Sequence, residues 1–347
     1  MDNNMPLIAG TYKIISQMGS GGGGIVYLAE HLRLGKQVVL KADKRTLSAK
    51  PEVLRREVDA LKNLNHTYIP QVYDFIEEDG TTYTVMDFID GESFDKPLKR
   101  GERFSQAQVI EWACQLLDAL VYLHSRPPHG VLHADIKPSN IMLTPQGDVC
   151  LIDFNIALAL GEEGAVAVGR SFGYASPEHY GHDFLASNAT RGMDTDAATD
   201  LSSNTLSDVG TILDHIPQPS SSNGAPGKKT IMLNVRSDIY SLGATLYHMM
   251  TGERPIQSAT EVKPISHKDF SPAVIAIISK AMNPAQRLRW QSAEEMLYAF
   301  THLRENDPRT KRHKRATAII AAILTMLFLA GGSTIFAGQR LMEQEQR

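Results

Sequence analysis

Apolar residues at the start of the chain occur in short runs that are typical of β-strands. Residues 12–17 and 25–29 are two such runs, and a glycine-rich segment, residues 19–24, lies between them. Residues 38–41 form a third run, Val-Val-Leu-Lys, which predicts a buried strand that ends at Lys41. The pattern therefore predicts that the N-terminal part of the chain is rich in strands.

Two later stretches repeat apolar residues at helical spacing. Residues 52–64 and residues 106–125 each place a set of apolar side chains on one face, which predicts two amphipathic helices. The apolar positions are Leu54, Val58, Leu61 and Leu64 in the first helix, and Val109, Trp112, Ala113, Leu116, Leu117, Leu120 and Leu123 in the second.

An uncharged apolar segment, residues 316–338, lies near the C-terminus, and it is long enough to cross the hydrocarbon core of a bilayer as a helix. A basic linker, residues 306–315, precedes it and contains Lys-Arg-His-Lys-Arg. The positive-inside rule assigns such a flank to the cytoplasm. We expect a single-pass protein of the cytoplasmic (inner) membrane, with residues 1–305 in the cytoplasm and residues 339–347 as a short extracytoplasmic tail.

Residues 182–235 differ from both patterns because they contain few apolar side chains and many Ser, Thr, Asp and Asn residues. So little apolar content cannot offset the entropy lost on ordering, so we predict a mostly disordered insertion. Residues 206–216 could form a short helix within it. Whether the insertion is neutral, which loops tolerate at small entropic cost, or regulatory stays open.

The overall composition narrows the class of protein. A length of 347 residues suffices for one two-lobed catalytic domain with additional segments, and a net charge of −4 carries no signature of nucleic-acid binding. Cys114 and Cys150 lie in apolar runs, which predicts buried thiols rather than a disulfide. No Cys/His cluster suggests zinc, and the first ten residues lack the pattern of a signal peptide.

Residues 133–140, His-Ala-Asp-Ile-Lys-Pro-Ser-Asn, together with Asp153, carry the groups that phosphoryl transfer needs. Asp135 can orient a substrate hydroxyl and accept its proton, and Lys137 can neutralise charge on the transferring phosphoryl group. Asn140 and Asp153 are candidate ligands of the Mg²⁺ ions that bridge ATP phosphates, and Mn²⁺ could substitute for Mg²⁺.

The glycine-rich segment fits the spacing G-x-G-x-x-G-x-V. Glycine lets the backbone approach phosphates closely, and the two extra glycines predict a mobile lid over the nucleotide. The predicted ATP contacts of this region are Gly19, Ser20, Gly21, Gly22, Gly23, Gly24, Ile25 and Val26, with Val39 on the following strand.

These motifs resemble those of eukaryotic-type (Hanks-type) serine/threonine protein kinases, and most closely the membrane-anchored bacterial branch. The resemblance implies an α+β fold with a small β-rich N-lobe, about residues 10–86, and a larger helical C-lobe, about residues 92–305, followed by one transmembrane helix. It also implies ATP-dependent phosphorylation of Ser and Thr in protein substrates. A lysine two places after Asp135 is typical of the Ser/Thr-specific branch.

The resemblance assigns roles around the nucleotide. Lys41 would hold the α- and β-phosphates and pair with Glu57 on the helix over residues 52–64, and Glu52 is the less favoured alternative. Met86 would be the gatekeeper beside the adenine ring. Two backbone groups would bond the edge of that ring, those of Asp87 and Phe88.

The resemblance also assigns a substrate platform, formed by Ser171, Gly173 and Glu178. Ser171 stands where Ser/Thr kinases place a threonine that contacts the catalytic aspartate and lysine. Glu178 would pair with Arg289, and Arg287 is the second choice. The residues expected to support the lobe rather than perform chemistry are His133, Phe154, Asp238 and Arg289.

Two positions depart from the family pattern. Ala134 replaces the arginine that usually precedes the catalytic aspartate, and Asn155 replaces the glycine of D-F-G. Residues 155–170 contain no Ser, Thr or Tyr, so we predict an activity that needs no phosphate in that segment. Candidate sites of self-phosphorylation are Thr195, Thr199, Ser202, Ser203, Thr205 and Ser171.

The expected partners are protein substrates with Ser/Thr acceptors, the lipid bilayer, and a second copy of the chain for phosphorylation in trans, but not nucleic acid. One alternative is a pseudokinase that binds nucleotide and acts as a membrane scaffold, which Ala134 and Asn155 slightly favour. A small-molecule kinase is less favoured, because the Ser-Pro-Glu sequence at residues 176–178 is typical of a platform for peptides.

Overall fold

The structure is a computed structural model of the chain. It describes residues 6–21, 24–43, 61–127, 130–153, 171–180, 233–255, 265, 270–303 and 326. Most of the predicted helix at 52–64, the insertion up to residue 232, and the apolar segment at 316–338 apart from Met326 lie outside these ranges. Within the described ranges, no helix is long and apolar enough to cross a bilayer.

Six antiparallel strands form the N-terminal sheet. They are β1 (Leu7–Ile8), β2 (Tyr12–Gly21), β3 (Gly24–His31), β4 (Lys36–Asp43), β5 (Val72–Glu78) and β6 (Thr81–Asp87). Their order in the sheet is β1-β2-β3-β4-β6-β5. The strands predicted at 12–17, 25–29 and 38–41 are confirmed as parts of β2, β3 and β4.

Strands β2 and β3 extend beyond their predicted ends. Gly19 and Gly21 lie in β2, Gly24 lies in β3, and Gly21 pairs with Gly24 across the hairpin. The glycine-rich segment is therefore mostly paired strand rather than a loop between strands, because ladder hydrogen bonds satisfy backbone groups that a long loop would leave to water. The register shifts between Gln17 and Gly19, which marks a bulge beside the first glycine.

The two faces of strand β4 differ in burial. Val38 and Leu40 are buried in the sheet core, at 1% and 0% exposure, whereas Val39 and Lys41 are only half-buried. Alternate residues of a strand point to opposite faces, so the run predicted as uniformly buried serves two surfaces. Val39 and Lys41 are thereby both directed away from the core.

The second part of the described chain is mainly helical. Its helices are α1 (Asp95–Lys99), α2 (Gln106–His124), α3 (Val235–Thr251), α4 (Pro272–Ala281) and α5 (Ala293–Thr301). Helix α2 begins at a capping box in which the side chains of Ser105 and Gln108 bond each other's backbone N–H groups. All seven apolar residues predicted on its face are buried, so this helix is confirmed.

A small sheet of three strands positions the loop at residues 133–140. The strands are β7 (Glu92–Ser93), β8 (Ile141–Leu143) and β9 (Val149–Leu151), in that order. A short 3₁₀ turn, Pro138–Asn140, leads from the loop into β8, and Asp153 follows β9 by two residues. Of the predicted insertion, the structure describes only residues 233–235: Leu233 is buried and Val235 begins helix α3, so the predicted disorder is wrong for these three residues.

Candidate active site

A buried carboxylate in helix α3, that of Asp238, anchors the loop at residues 133–140. Asp238 Oδ2 accepts a hydrogen bond from the N–H of His133 at 3.0 Å, and Oδ1 accepts one from the N–H of Ala134 at 2.8 Å. His124 Nε2 lies 2.9 Å from Oδ2. Burial alone would raise the pKa of Asp238, but the hydrogen bonds from His124 and the backbone hold the pKa below its ordinary value. The ionised carboxylate therefore fixes two consecutive backbone N–H groups.

His133 links the same loop to the segment that carries Asp153. Its ring Nε2 lies 3.0 Å from the carbonyl oxygen of Ile152, and its Nδ1 accepts a hydrogen bond from the N–H of Asp135 at 3.3 Å. Full burial lowers the pKa of His133, so the ring is neutral and can both donate and accept. The histidine therefore connects the backbone of Asp135 to the segment that carries Asp153.

Two residues of the site adopt the left-handed backbone conformation without being glycine. Ala134 has φ +61° and Asp153 has φ +64°. Such a conformation costs a non-glycine residue roughly 1 kcal/mol or more, and it persists only where the surroundings impose it. The bond from the Ala134 N–H to Asp238 supplies that constraint on the loop.

The carboxylate of Asp135 is the centre of a hydrogen-bonded cluster. Ser171 Oγ donates to Asp135 Oδ1, and Lys137 Nζ donates to Asp135 Oδ2 at 2.7 Å and to Ser171 Oγ at 2.8 Å. Asn140 Nδ2 donates to the carbonyl oxygen of Asp135 at 2.8 Å and to its Oδ2 at 3.1 Å. The cluster therefore contains a carboxylate that already accepts a hydrogen bond from a hydroxyl group, next to an ammonium group.

Lys41 forms a direct ion pair with Asp153. The pairing predicted between Lys41 and Glu57 lies outside the described residues. Lys41 is on β4 and Asp153 follows β9, so the ion pair joins the two sides of the cleft. The Asp153 carboxylate, which was predicted to bind a metal ion, is thus paired with a lysine in this structure. A lysine that balances this carboxylate is a partner that the sequence prediction did not include.

The oxygen atoms of Asn140 and Asp153 suit a magnesium ion. Because Asn140 donates through Nδ2 to Asp135, its Oδ1 is left as the acceptor, and Asp153 supplies a carboxylate. Among the described residues, no group of three or more His, Cys, Asp or Glu side chains could enclose a metal by itself. Mg²⁺ is usually bound by one or two carboxylates together with substrate phosphates and water, so the magnesium site at Asn140 and Asp153 stays a prediction.

A cavity of about 140 Å³ lies between the N-terminal sheet and the small sheet. Its walls are mostly apolar, and the charged residues of its lining are Lys41, Asp87 and Asp153. The apolar residues that flank it include Val26, Val39, Met86, Phe88, Met142 and Ile152. The predicted adenine contacts Val26, Val39, Met86, Asp87 and Phe88 are thus brought together around one cavity.

The backbone at the end of β6 is held by the side chain of Asp87. Asp87 accepts hydrogen bonds from Lys36 Nζ at 2.8 Å, from the hydroxyl of Tyr73, and from the N–H of Gln71 at 3.0 Å. Burial would raise the pKa of Asp87, but its bonds to Lys36 and Tyr73 hold the pKa below its usual value. The sequence prediction missed Lys36 and Tyr73, because only the register of β4, β5 and β6 brings them to Asp87.

The backbone N–H of Asp87 donates to the carbonyl oxygen of Gln71 at 3.0 Å. The prediction that the backbone of Asp87 and Phe88 bonds the adenine edge stays a prediction. Because the Asp87 N–H is bonded to Gln71, the candidate groups are the Asp87 carbonyl and the backbone of Phe88.

The glycine-rich hairpin has different reasons for glycine at different positions. Gly24 has φ +139°, a conformation that side chains rarely adopt, and this accounts for glycine there. A Cβ atom added to Gly19 would meet nothing within 4 Å, so packing inside the protein does not account for glycine at that position. The open space beside Gly19 is consistent with a role that involves a ligand.

Gly173 lies in the segment between Ser171 and the 3₁₀ turn Pro177–Tyr180. Its φ is +83°, and an added Cβ would lie 2.6 Å from the carbonyl oxygen of Pro255. Both the backbone conformation and the close approach exclude a side chain here. The backbone at Gly173 therefore packs closely against Pro255, which follows helix α3.

Glu178 and Arg289 form a bidentate pair in the interior of the helical part. Arg289 Nη1 donates to Glu178 Oε1 at 2.7 Å and Nη2 donates to Oε2 at 3.0 Å, and both side chains are at most 1% exposed. Ser237 Oγ donates a further bond to Oε1 at 2.8 Å. The remaining guanidinium donors reach carbonyl oxygens of Asn283, Pro284 and Arg236. Arg287, the second candidate partner, is exposed.

Several predicted site residues lie outside the described ranges. The structure says nothing of these positions, and their roles stay predictions. They are Glu57, the alternative Glu52, Gly22, Gly23, Phe154 and Asn155.

Comparison with known proteins gives the family. A family model described as "Protein kinase domain" matches residues 12–195. A probable serine/threonine-protein kinase of Streptomyces coelicolor is 29% identical over 314 residues, which cover 83% of this chain and 39% of that protein. Serine/threonine-protein kinase PknF of Mycobacterium tuberculosis is 29% identical over 346 residues, which cover 91% of this chain and 62% of PknF.

Among solved structures, the kinase domain of PknI from Mycobacterium tuberculosis is similar in fold. The TM-score is 0.56 at 22% sequence identity, and the match covers 86% of this chain and 98% of that domain. Because the family model matches more than half of the chain, and because the related proteins are named serine/threonine-protein kinases, the chain belongs to the bacterial serine/threonine branch of the protein kinase family.

Proposed function

We propose that the chain transfers the γ-phosphoryl group of ATP to Ser and Thr residues of proteins. The observation that carries this proposal is the cluster of Asp135, Lys137 and Ser171, in which a carboxylate accepts a hydrogen bond from a hydroxyl group beside an ammonium group. The hydroxyl group of a substrate Ser or Thr could donate a hydrogen bond to the Asp135 carboxylate in the same way as Ser171 does. The names of the related proteins support the choice of Ser/Thr as acceptors.

Each residue of the site has a definite task in this reaction. Asp135 orients the acceptor hydroxyl and takes its proton, and Lys137 stabilises the negative charge that spreads over the transferring group. Lys41 holds the phosphates that remain with the nucleotide. Magnesium, when bound by Asn140 and Asp153, supplies positive charge to the phosphate oxygens.

The ion pair between Lys41 and Asp153 must exchange partners when nucleotide binds. Lys41 would then hold phosphate oxygens, and Asp153 would hold a magnesium ion, which would supply positive charge in place of Lys41. Neither charge is then left without a partner of opposite sign in the half-buried cleft, which lowers the cost of separating the pair.

A second function, a nucleotide-binding membrane scaffold without catalysis, is favoured by one observation. Lys41 and Asp153, the two groups proposed to hold the phosphates and the magnesium ion, form an ion pair with each other in this structure. The two functions differ in an assay of the full-length chain in detergent with Mg-ATP and a generic basic protein. Transfer of phosphate to Ser or Thr supports the kinase, whereas nucleotide binding without any transfer supports the scaffold.

Activity is expected to be independent of phosphate in residues 155–170. That segment has no hydroxyl side chain, and Ala134 provides no cationic receptor for a phosphate. After phosphatase treatment, the full-length chain should phosphorylate an added peptide at most of its original rate. Mass spectrometry of the treated protein verifies that phosphate has been removed. Loss of all activity after treatment would contradict this expectation, and an Asp135→Asn sample treated in parallel gives the background.

Self-phosphorylation, if it occurs, is expected in the insertion rather than at Ser171. The Ser171 hydroxyl is bonded to Asp135 and Lys137, so a phosphate there would bring a dianion against the Asp135 carboxylate. The insertion offers Thr195, Thr199 and the neighbouring hydroxyl residues named above.

We also propose that residues 316–338 anchor the chain in the cytoplasmic membrane. The support comes from the uncharged apolar sequence and the basic residues 311–315 before it. Confinement to a plane raises the local concentration of kinase domains, and so favours phosphorylation of one copy by another.

Deletion of residues 311–347 is expected to release the protein from membranes, as measured by carbonate extraction. The rate on an added peptide should be nearly unchanged, whereas self-phosphorylation at low protein concentration should slow. Fusion of an unrelated transmembrane helix should restore much of that rate. A large loss of peptide activity on deletion would show that the helix controls the catalytic domain itself, and the anchoring account would be wrong.

A further inference from the structure

A second and larger cavity lies next to the catalytic cluster. Its volume is about 520 Å³, and it begins at Lys137 and Ser171. From there it extends along Phe172 and Tyr174 to the region after helix α3, where Arg254 lines it. A peptide whose hydroxyl group reaches Asp135 must place a neighbouring side chain in or beside this cavity.

The positive charges of the cavity are not all balanced by the protein. Lys137 is paired with Asp135 at 2.7 Å, and Lys99 is paired with Asp95 at 2.6 Å. Among the described residues, no carboxylate lies within ion-pair distance of Arg254. The cavity therefore carries a net positive charge that is located at Arg254.

The guanidinium of Arg254 is held in a defined position. Its Nε donates to the carbonyl oxygen of Phe172 at 3.0 Å, and its Nη2 donates to the same oxygen. Its central carbon lies 5.3 Å from the centre of the Tyr174 ring, within the range of a cation–π contact. Within the part of the chain that the structure describes, no acceptor is assigned to Nη1, so this end of the group can serve a ligand.

The histidine of the cavity, His248, does not add a further unbalanced charge. Its Nδ1 lies 2.6 Å from the hydroxyl of Tyr174. Burial lowers the pKa of His248, and the positive charge of Arg254 lowers it further. A neutral His248 therefore leaves Arg254 as the cation that decides which side chains this cavity accepts.

We propose that this cavity selects protein substrates that carry an acidic side chain close to the acceptor Ser or Thr, and that Arg254 is the residue that determines this preference. The inference rests on the proposed kinase function. The chain itself contains such sequences, since Thr195 stands between Asp194 and Asp196, and Thr199 precedes Asp200. A carboxylate and a phosphorylated residue are both anions that can bind the Arg254 guanidinium, and the test distinguishes them.

The test uses full-length chain in detergent and synthetic peptides with one acceptor residue. Each set of four peptides carries Asp, phosphoserine, Ala or Lys at one position near the acceptor. Different sets test different positions on either side of the acceptor. At the preferred position, kcat/KM for the Asp peptide should exceed that for the Ala peptide by at least about tenfold, mainly through KM. A larger gain with phosphoserine than with Asp would identify substrates that are already phosphorylated.

The variant Arg254→Gln removes the charge and keeps a donor that can bond the Phe172 carbonyl. It should lower kcat/KM for the Asp peptide by about tenfold more than for the Ala peptide. Arg254→Glu should shift the preference toward the Lys peptide. Arg33→Gln, which makes the same change at an exposed position in the turn between β3 and β4, should keep the acidic preference of the wild type.

Three outcomes would overturn the inference. One is a wild type that phosphorylates the Ala peptide but shows no acidic preference at any position, which leaves the kinase function intact. Another is an equal loss on Asp, Ala and Lys peptides in Arg254→Gln, which would give Arg254 a purely structural role at Phe172. The third is a lack of transfer to every peptide, which would contradict the proposed function and this inference with it.

Discussion

Replacement of Asp135 by asparagine is expected to reduce phosphoryl transfer by at least about a hundredfold. Asparagine preserves the shape of the side chain but removes the negative charge that accepts the proton of the substrate hydroxyl. It also weakens the bond to Lys137, which then holds its charge less firmly beside the transferring group. The measurement is a steady-state assay with Mg-ATP and an added peptide, in which kcat should fall more than KM changes.

Lys41→Met is expected to have an effect of similar size, because it removes the charge that positions the nucleotide phosphates. Asp79→Asn is the matched control for Asp135→Asn. Asp79 is exposed in the turn between β5 and β6 and has φ +50°, which asparagine also tolerates. If Asp135→Asn retained more than about a tenth of the wild-type rate, Asp135 would not be the catalytic base and another group would have to take the proton of the acceptor hydroxyl.

The largest effect on stability is expected at Arg289. Replacement of Arg289 by methionine leaves the carboxylate of Glu178 buried without its bidentate partner, and removal of one member of a buried pair typically costs about 3–5 kcal/mol. The free energy of unfolding from urea titration should fall by about this amount. Arg287→Met, two residues earlier on an exposed turn, should change it by less than about 0.5 kcal/mol. Equal effects of the two substitutions would contradict the structural role of the pair.

The same pair gives a pH dependence. Burial would raise the pKa of Glu178, but the bonds from Arg289 and Ser237 hold the pKa below its ordinary value of 4.5. A carboxyl group with a lowered pKa in the folded state contributes stability that is present above pH 4.5 and is lost as the pH falls through the folded-state pKa. In the double variant Glu178→Gln, Arg289→Met this part of the acid dependence should disappear.

Local patterns in the sequence predicted the elements that depend on neighbouring residues. Helix α2 was predicted from its apolar repeat, and the spacing of Asp135, Lys137 and Asn140 along one loop predicted one cluster. These features need no knowledge of distant parts of the chain. They could therefore be predicted closely.

Features that depend on contacts between distant segments could not be predicted in the same way. The bonds of Lys36 and Tyr73 to Asp87 require the register of three strands, and the position of Arg254 beside Phe172 requires the packing of helix α3 against the substrate platform. Arg287 and Arg289 both fitted the motif, and only burial separates them. Sequence alone carries little information on such packing, because many residue types satisfy the same local pattern.

The anchoring of the catalytic loop by Asp238 has a consequence for the order in which the chain is synthesised. Asp135 leaves the ribosome long before Asp238, with the entire insertion between them, and Arg289 follows later still. Until helix α3 is available, the N–H groups of His133 and Ala134 lack the carboxylate that fixes them, and Ala134 has no reason to keep its left-handed conformation. A nascent chain would therefore carry the side chains of the catalytic loop before that loop is fixed, and the proposed activity would begin only when nearly the whole domain has emerged.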